Sequence, residues 1–299
     1  MFEFVRDITP VQAIHDDDSW EGQTYSMFRA VHATGSGYIT YVRVCIGGRI
    51  SLLRETFDSD WKSRGDGQTM GAEIRAEDPR LVTIDGALFV VFIGDSPFKN
   101  QFKCIWLLKD GDMAATPLYV DGMNAIEKNW APFEHKNRLM FVYNFEPLIL
   151  LQCEPTTGKC TVVKGALPFN TSNTFIRGGS NLISIDDGCY VGFAHSRIPI
   201  ARHTRPGFLH LTHMVRINKS LELENVSEPF HYYKDGEVVK LTIQDPVSLW
   251  REGSEIYTTA NMRDNFCEVY KFSLQSWNLR VRKMVETVND AWFELKEEI

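Results

Sequence analysis

The sequence has few cysteines and no paired cysteine motif. Its 299 residues contain six cysteines, and none stands in a CxxC pair. Most lie inside apolar runs such as CIWLL and LQC, where a cysteine behaves as a small buried hydrophobe. We therefore expect buried thiols rather than a zinc site or a disulfide scaffold. The six are Cys45, Cys104, Cys153, Cys160, Cys189 and Cys267.

Long apolar stretches and an excess of positive charge are also absent. No apolar run approaches the roughly 18 residues of a membrane span, and the N-terminus has no basic start followed by an apolar segment. Lys and Arg number 32 and Asp and Glu number 39, so the formal net charge is −7. A chain of negative net charge has little general attraction for nucleic acid or an anionic membrane. We expect a cytoplasmic protein that neither binds nucleic acid nor inserts into a membrane.

Helical periodicity is almost absent before residue 285, whereas short β-rich runs bounded by Gly, Asp and Asn occur throughout. Five of these runs align, with starts 49, 51, 51 and 66 residues apart, and each begins at the second residue of a turn pair or directly after one. They are GYITYVRV (37–44), GALFVVFI (86–93), NRLMFVYN (137–144), GCYVGFAH (188–195) and SEIYTTAN (254–261).

A repeat of about 50 residues made of strands alone is typical of a β-propeller, whose blades are four-stranded sheets around a channel. The spacing predicts an all-β fold, with residues 1–299 forming a single five-bladed β-propeller catalytic domain. A β-sandwich or a two-domain β protein is the alternative. The C-terminal segment NDAWFELKEEI (289–299) has helical composition, and we expect a short helix there.

Charged or glycine-rich segments recur 7 to 11 residues upstream of the aligned strands. Equivalent positions in a propeller are related by rotation about its axis, so these segments should face one another at one mouth of the channel. A carboxylate, an ammonium and two guanidinium groups would then share a pocket that suits an anionic substrate. The segments contain Arg29, Glu77-Asp78-Pro79, Lys128-Asn129-Trp130, Arg177-Gly178-Gly179-Ser180 and Ile243-Gln244-Asp245-Pro246.

Asp78 is the candidate for proton transfer. Pro79 biases the backbone of Asp78 toward an extended strand entry. Arg80 lies two residues on, on the same side of a strand, and is expected to hold the carboxylate in place. A structural ion pair that closes a blade is the alternative.

The block Glu77-Asp78-Pro79-Arg80 resembles the second-blade motif of glycoside hydrolase family 130, and the likeness continues through residues 127–133, 177–180 and 190–195. Members of that family are five-bladed propellers, chiefly β-mannoside phosphorylases, and glycosyltransferase family 108 is related to them. The resemblance covers roughly residues 25–275. It implies that Asp78 transfers the proton of an inverting reaction and that Lys128, Arg177 and His195, together with Arg80, bind the phosphate or the donor.

Two blocks depart from the phosphorylase pattern. Trp130-Ala131-Pro132-Phe133 stands where phosphorylases usually carry a Leu-Phe-Pro-Glu-like segment, and His195-Ser196 stands where they carry a His-Gly pair. The departures favour a divergent, mannosyltransferase-like glycosyltransferase that builds a glycan from a phosphate-activated sugar, whether a sugar 1-phosphate or a nucleotide sugar.

Three other functions stay open. A β-mannoside phosphorylase uses the same pocket in reverse. A hydrolase needs a second carboxylate, for which Asp245, Glu127 or Glu77 are available. A non-catalytic propeller would only recognise a glycan with its charged mouth.

The remaining candidates are contacts to the sugar. We predict them at Asn129, Trp130, Asp245 and, by the resemblance, Asp264, whereas Trp61, Trp250 and Tyr143 more often pack blades than stack on sugars. His203, His210 and His213 lie in the elaborated fourth interval, but the HLTH spacing is weak for zinc, so we predict no metal. Common dinucleotide, P-loop, esterase and zincin motifs are missing, and no cofactor is expected.

Overall fold

The computed structural model describes most of the chain. The predicted helix at 289–299, Asp264 and His203 lie outside the described residues. The described residues are 3–4, 9–14, 23–46, 48–70, 74–167, 176–200, 207–231, 244–262 and 266–273.

Their strands form five sheets that are arranged as the predicted five-bladed β-propeller. Two short strands come first, β1 (Glu3–Phe4) and β2 (Thr9–Ile14). Blade one contains β3 (Gln23–Thr34), β4 (Gly37–Ile46), β5 (Arg49–Phe57) and β6 (Gln68–Met70). Blade two contains β7 (Glu77–Ile84), β8 (Ala87–Asp95), β9 (Lys103–Lys109) and β10 (Thr116–Pro117). Blade three contains β11 (Ala131–His135), β12 (Arg138–Asn144), β13 (Ile149–Cys153) and β14 (Cys160–Lys164).

The last two blades each include a strand from the start of the chain. Blade four is a seven-stranded sheet that also includes β1, and its other strands are β15 (Ile176–Gly178), β16 (Ile183–Ser184), β17 (Tyr190–Ile200), β18 (Gly207–Ile217), β19 (Leu223–Val226) and β20 (Phe230–His231). Blade five contains β2 and β21 (Gln244–Glu252), β22 (Glu255–Met262) and β23 (Phe266–Ser273). The five aligned runs fall on β4, β8, β12, β17 and β22, which pair with β3, β7, β11, β15 and β21 respectively.

The N-terminal strand β2 closes the ring of blades. It pairs antiparallel with β23, so the start of the chain supplies the outer strand of blade five. The first strands of the blades, β3, β7, β11 and β21, contact one another and so lie nearest the axis. The entrances to these inner strands therefore define the mouth of the channel.

The blades pack against one another through apolar cores. Ala30, Tyr41 and Leu52 of blade one meet Val90 and Phe92 of blade two in one buried cluster. A second cluster joins blade two to blade three, and others join blade three to four and blade four to five. Because neighbouring blades cover both faces of a blade, the sequences of its strands are nearly continuous apolar runs.

The turn residues behave as the sequence predicts. Asp85 and Gly86 both have positive φ, 48° and 75°, and so do Lys136 and Asn137, at 54° and 60°. Two consecutive left-handed residues make the type I′ turn, whose twist matches that of a β-hairpin. These turns set the register of blades two and three.

One pair of cysteines departs from the expectation of free thiols. Cys153 and Cys160 lie directly opposite each other on β13 and β14 and form a disulfide. The cross-strand pairing brings the two side chains together, which apolar context alone does not reveal. Cys45, Cys104, Cys189 and Cys267 are buried, as predicted. Within the described residues, no helix has the length and apolarity to cross a bilayer.

Candidate functional site

All five blades contribute to one pocket at the entrances of the inner strands. Its volume is about 290 Å³. We call it the mouth pocket, and its charged and histidine residues are Arg43, Asp78, Arg80, Lys128, His195, Arg197, His210 and Asp245. The prediction that Asp78, Lys128, His195 and Asp245 converge is consistent with this geometry. Arg29 does not join them, because its guanidinium is buried inside blade one and pairs with Glu55 and Thr40.

Asp78 lies on a β-bulge at the start of β7. The register shifts between Glu77 and Arg80, and Asp78 has a φ of 51°. The expected extended conformation before Pro79 is therefore wrong, because the extra residue of the bulge takes up a left-handed conformation, which aspartate adopts more readily than most residues. The bulge directs the Asp78 side chain into the mouth pocket.

The partner of the Asp78 carboxylate is Arg43, whose Nη1 lies 3.0 Å from Oδ1. Burial raises the pKa of Asp78, and the nearby charges of Arg43 and Arg80 oppose that rise. A carboxylate with a raised pKa and a single close guanidinium has the properties of a general acid or base.

Arg80 does not bind the Asp78 carboxylate directly, in contrast to the sequence-based expectation. Its Nε donates to the carbonyl of Gly179 at 2.5 Å, and its Nη1 donates to the carbonyl of Asp78 at 3.2 Å. Since the bulge breaks the two-residue alternation, the two side chains no longer share one strand face. Arg80 instead ties the entrance of β7 to Gly179, the residue directly after β15 in blade four.

Lys128 and Asn129 are held in the pocket by the buried Glu127. The Glu127 carboxylate accepts hydrogen bonds from the Trp130 Nε1, at 3.0 Å, and from the Tyr143 hydroxyl, at 2.9 Å. Burial lowers the pKa of Lys128, and the guanidinium groups of Arg197 and Arg177 lower it further. A concentration of positive charge at this place favours an anion.

Trp130 is placed differently from the prediction of a sugar contact. It is 1% exposed, and its ring packs against Phe141 and Tyr143 in the core of blade three. A ring so enclosed presents no face to a ligand, so Trp130 supports the lysine segment from behind. Trp61 stacks on Tyr38, and Trp250 stacks on Tyr257, and neither lines the mouth pocket.

Arg177 lies beside the mouth pocket rather than on its wall. It is the cross-strand partner of His195 and lines a small neighbouring cavity together with Lys128 and Asn129. Gly178 fits closely there, because a Cβ at this position would lie 2.1 Å from the Asn129 carbonyl oxygen. The Arg-Gly-Gly motif thus brings blade four against the lysine segment of blade three.

His195, His210 and Asp245 form a group on the wall of the pocket in which His195 and Asp245 are buried and His210 is half-buried. The rings of the two histidines are nearly parallel, with centroids 5.6 Å apart, and the His210 Nδ1 lies 2.7 Å from the Asp245 Oδ1. Burial lowers the pKa of His195 to about 3. Burial alone would raise the pKa of Asp245, but the His210 hydrogen bond and nearby positive groups lower it overall.

Sequence reasoning missed Arg43, Arg197 and His210 as residues of the pocket. Arg43 carried a detectable signal, because it is the seventh residue of its aligned run, where the other four runs have Phe92, Tyr143, Ala194 and Ala260. A charge in a column of apolar residues points away from the blade core. Arg197 and His210 are cross-strand partners on β17 and β18, a relationship that the register alone reveals.

Comparisons with known proteins agree with this fold. No protein-family model matches the chain. Beta-mannosyltransferase 3 of Candida albicans is 48% identical over 63 residues, which are 20% of this chain and 11% of that protein. Beta-mannosyltransferase 2 of Komagataella phaffii is 28% identical over 140 residues, which are 41% of this chain and 22% of that protein. The matched part of the chain thus spans about a tenth to a fifth of these relatives.

Two solved structures show the same architecture. A β-1,2-mannobiose phosphorylase from Listeria innocua superposes with a TM-score of 0.58 at 11% identity and covers 94% of this chain and 98% of its own. A GDP-Man-dependent mannosyltransferase from Leishmania mexicana superposes with a TM-score of 0.54 at 10% identity and covers 85% and 86%. The resemblance to mannoside phosphorylase propellers is confirmed for the fold.

Proposed function

We propose that this chain is an inverting mannosyl-transfer enzyme that forms a β-mannosidic bond from a phosphate-activated mannose. The observation that carries the proposal is a largely buried carboxylate, Asp78, in one pocket with four cationic side chains, Arg43, Arg80, Lys128 and Arg197. The likeness to curated β-mannosyltransferases supports mannose as the transferred sugar.

In such a reaction the pocket supplies a base for the acceptor and cationic side chains for the leaving phosphate. Asp78 takes the proton of the acceptor hydroxyl, directly or through another sugar hydroxyl, while the acceptor oxygen attacks the anomeric carbon. The bond from that carbon to the phosphate oxygen breaks on the opposite face, so an α-linked donor yields a β-mannoside. Lys128, Arg197 and Arg177 stabilise the leaving phosphate by charge, and one carboxylate is sufficient because that group leaves without a proton.

A β-mannoside phosphorylase is the second candidate, because the same residues catalyse the reverse reaction when phosphate is the nucleophile. The fold it shares with a mannobiose phosphorylase favours it. A hydrolase is less consistent with the pocket. Asp245, the only other carboxylate on its wall among the described residues, already forms a hydrogen bond with His210.

The test supplies the full chain with GDP-mannose or mannose 1-phosphate and a short β-mannoside acceptor. NMR of the product then gives the anomeric configuration. We expect a β-linked product from one of the two donors. Release of GDP identifies GDP-mannose as that donor, and release of inorganic phosphate identifies mannose 1-phosphate. Phosphorolysis of β-mannobiose with added phosphate would point to the second candidate.

Asp78→Asn is the decisive variant, because it keeps the shape of the side chain and removes the basic oxygen. Turnover should fall by roughly two to four decades, while donor binding changes little. Asp121→Asn, at an exposed site outside the pocket, is the matched control. Turnover of Asp78→Asn within about threefold of the wild type would refute the assignment.

A further inference from the structure

Three potential metal ligands converge in the mouth pocket. His195, His210 and Asp245 each offer one ligand atom, and these atoms all lie within 4.8 Å of one another. Two imidazoles and a carboxylate are a frequent ligand set for first-row divalent ions. We propose that these three residues bind a first-row divalent cation such as Zn²⁺ or Mn²⁺.

An unpartnered nitrogen supports this proposal independently. His195 is 5% exposed, and its buried Nδ1 has no hydrogen-bond partner in the described part of the chain. A buried polar atom without a partner costs free energy, so such an atom normally belongs to an unfilled interaction. His195 lines the pocket, so a cation bound at its Nδ1 would supply the missing partner.

The sheet register explains how the group is assembled. His195 pairs with Thr212, and His210 stands two residues before Thr212 on the same face of the sheet formed by β17 and β18. Asp245 enters from the inner strand of blade five. His213 lies on the opposite face, where its ring bonds Ser196 and the Ser227 carbonyl, so the HLTH spacing does not make the site.

The contact between His210 and Asp245 is compatible with coordination. Ligand atoms about 2.0–2.1 Å from a tetrahedral ion lie roughly 3.3 Å apart. The present distance of 2.7 Å between Nδ1 and Oδ1 therefore has to lengthen by only about 0.6 Å as the Nδ1 proton is released and both atoms bind the ion. Three protein ligands leave a fourth position free toward the pocket.

The four cationic side chains of the pocket oppose a bare cation. An anion in the same pocket reverses this repulsion, so cation and anion should bind with positive coupling. The coupling gives the site a use that goes beyond the proposed function, because a bound cation adds charge stabilisation at a phosphate oxygen. The binding itself does not depend on which reaction the pocket catalyses.

Cobalt(II) is the probe for the test, because its visible absorption bands report on coordination number and ligand type. The full-length chain is titrated with Co²⁺, and Zn²⁺ is then added in competition. We expect one equivalent of Co²⁺ with four- or five-coordinate bands, no thiolate charge-transfer band, and displacement by Zn²⁺. Added sulfate should tighten Co²⁺ binding.

His210→Gln and Asp245→Asn should each weaken Co²⁺ binding by tenfold or more. His32→Gln, a histidine of β3 outside the pocket, is the matched control and should bind Co²⁺ like the wild type. Circular dichroism shows whether each variant is folded. Unchanged Co²⁺ affinity in folded His210→Gln and Asp245→Asn would overturn the proposal.

A second measurement on the wild type keeps the proposal testable if both variants unfold. Histidine ring nitrogens are followed by NMR during separate additions of Zn²⁺ and inorganic phosphate. A Zn²⁺-induced shift at the His195 and His210 nitrogens supports the site. Shifts with phosphate alone, and none with Zn²⁺, would assign the group to the anion site and overturn the proposal. Neither measurement uses enzymatic activity, so failure here is distinct from failure of the proposed reaction.

Discussion

The ion pair between Arg43 and Asp78 should set the pH range in which Asp78 accepts a proton. Transfer requires the carboxylate form, so activity is present above the pKa of Asp78 and is lost as the pH falls through it. Burial raises that pKa, and the Arg43 guanidinium at 3.0 Å opposes the rise. Arg43→Met removes the opposing charge, so the acidic limb of kcat/KM should move to higher pH.

The geometry gives the size of the shift. Two unit charges 3.0 Å apart attract each other by about 5.5 kcal/mol at an effective dielectric constant near 20. The two side chains are 17% and 19% exposed, so water recovers part of this energy when one partner is removed. An opposite charge at this range usually changes a carboxyl pKa by about 1 to 3 units, and we expect the limb to move by that amount. On the acidic limb this is a loss of about 10- to 1000-fold in kcat/KM.

The assay is a pH profile of kcat/KM from about pH 4 to pH 9. Arg43→Lys keeps the positive charge and serves as the control, so its acidic limb should stay close to that of the wild type. Arg43 also lines the pocket and its loss is expected to weaken donor binding, which lowers the whole profile without moving the limb. If the limb of Arg43→Met coincides with that of the wild type while Asp78→Asn is inactive, the limb belongs to another group and the electrostatic argument fails.

Three further outcomes follow from the structure. Arg177→Ala should weaken binding of the phosphate-bearing donor by about 1.5 to 3 kcal/mol, the scale of a charge-assisted hydrogen bond, as measured by calorimetry. Trp130→Phe removes the donor to the buried Glu127 carboxylate and should lower the free energy of urea unfolding by about 1 to 3 kcal/mol, with little change in donor affinity. Gly178→Ala forces a Cβ against the Asn129 carbonyl and should cost about 1 to 3 kcal/mol in unfolding and also weaken donor binding, whereas a neutral result would show that the segment adapts.

The blade repeat was predictable because local chemistry repeats with it. Asp85-Gly86 and Lys136-Asn137 form type I′ turns, and the apolar runs on either side of each turn form the paired strands of a hairpin. Closure by β2 was not predictable in the same way. Its pairing with β23 joins residues more than 250 positions apart, and a six-residue strand at a sheet edge carries little pattern of its own.

The segments that form the mouth were predicted, but several side-chain directions were not. Asp78 and Lys128 reach the mouth pocket as expected. Trp130, adjacent to Asn129, turns into the core, and Arg80 binds main-chain carbonyls. Strand alternation assigns faces only where the ladder is regular, and the register of β3, β7 and β21 shifts near the pocket. Arg43 shows the converse, because its strand pairs with β5 in unbroken register there and a charge in a column of apolar residues is detectable from the sequence.

The conformation of those entrances explains why the pocket forms where it does. Phe28, Asp78 and Asn129 all line the pocket, and all have positive φ, 56°, 51° and 63°. Such a conformation costs about 1 to 3 kcal/mol at a residue other than glycine and persists only where the surroundings enforce it. Asp78 and Asn129 stand at the same place in their blades, two residues before Arg80 and Ala131, which pair with equivalent residues of β8 and β12. The inner strands thus leave their regular ladder at one shared level around the axis. At that level the side chains turn toward the channel, whereas regular strand alternation would direct them between the blades. The backbone strain and the proposed chemistry therefore occur at the same residues.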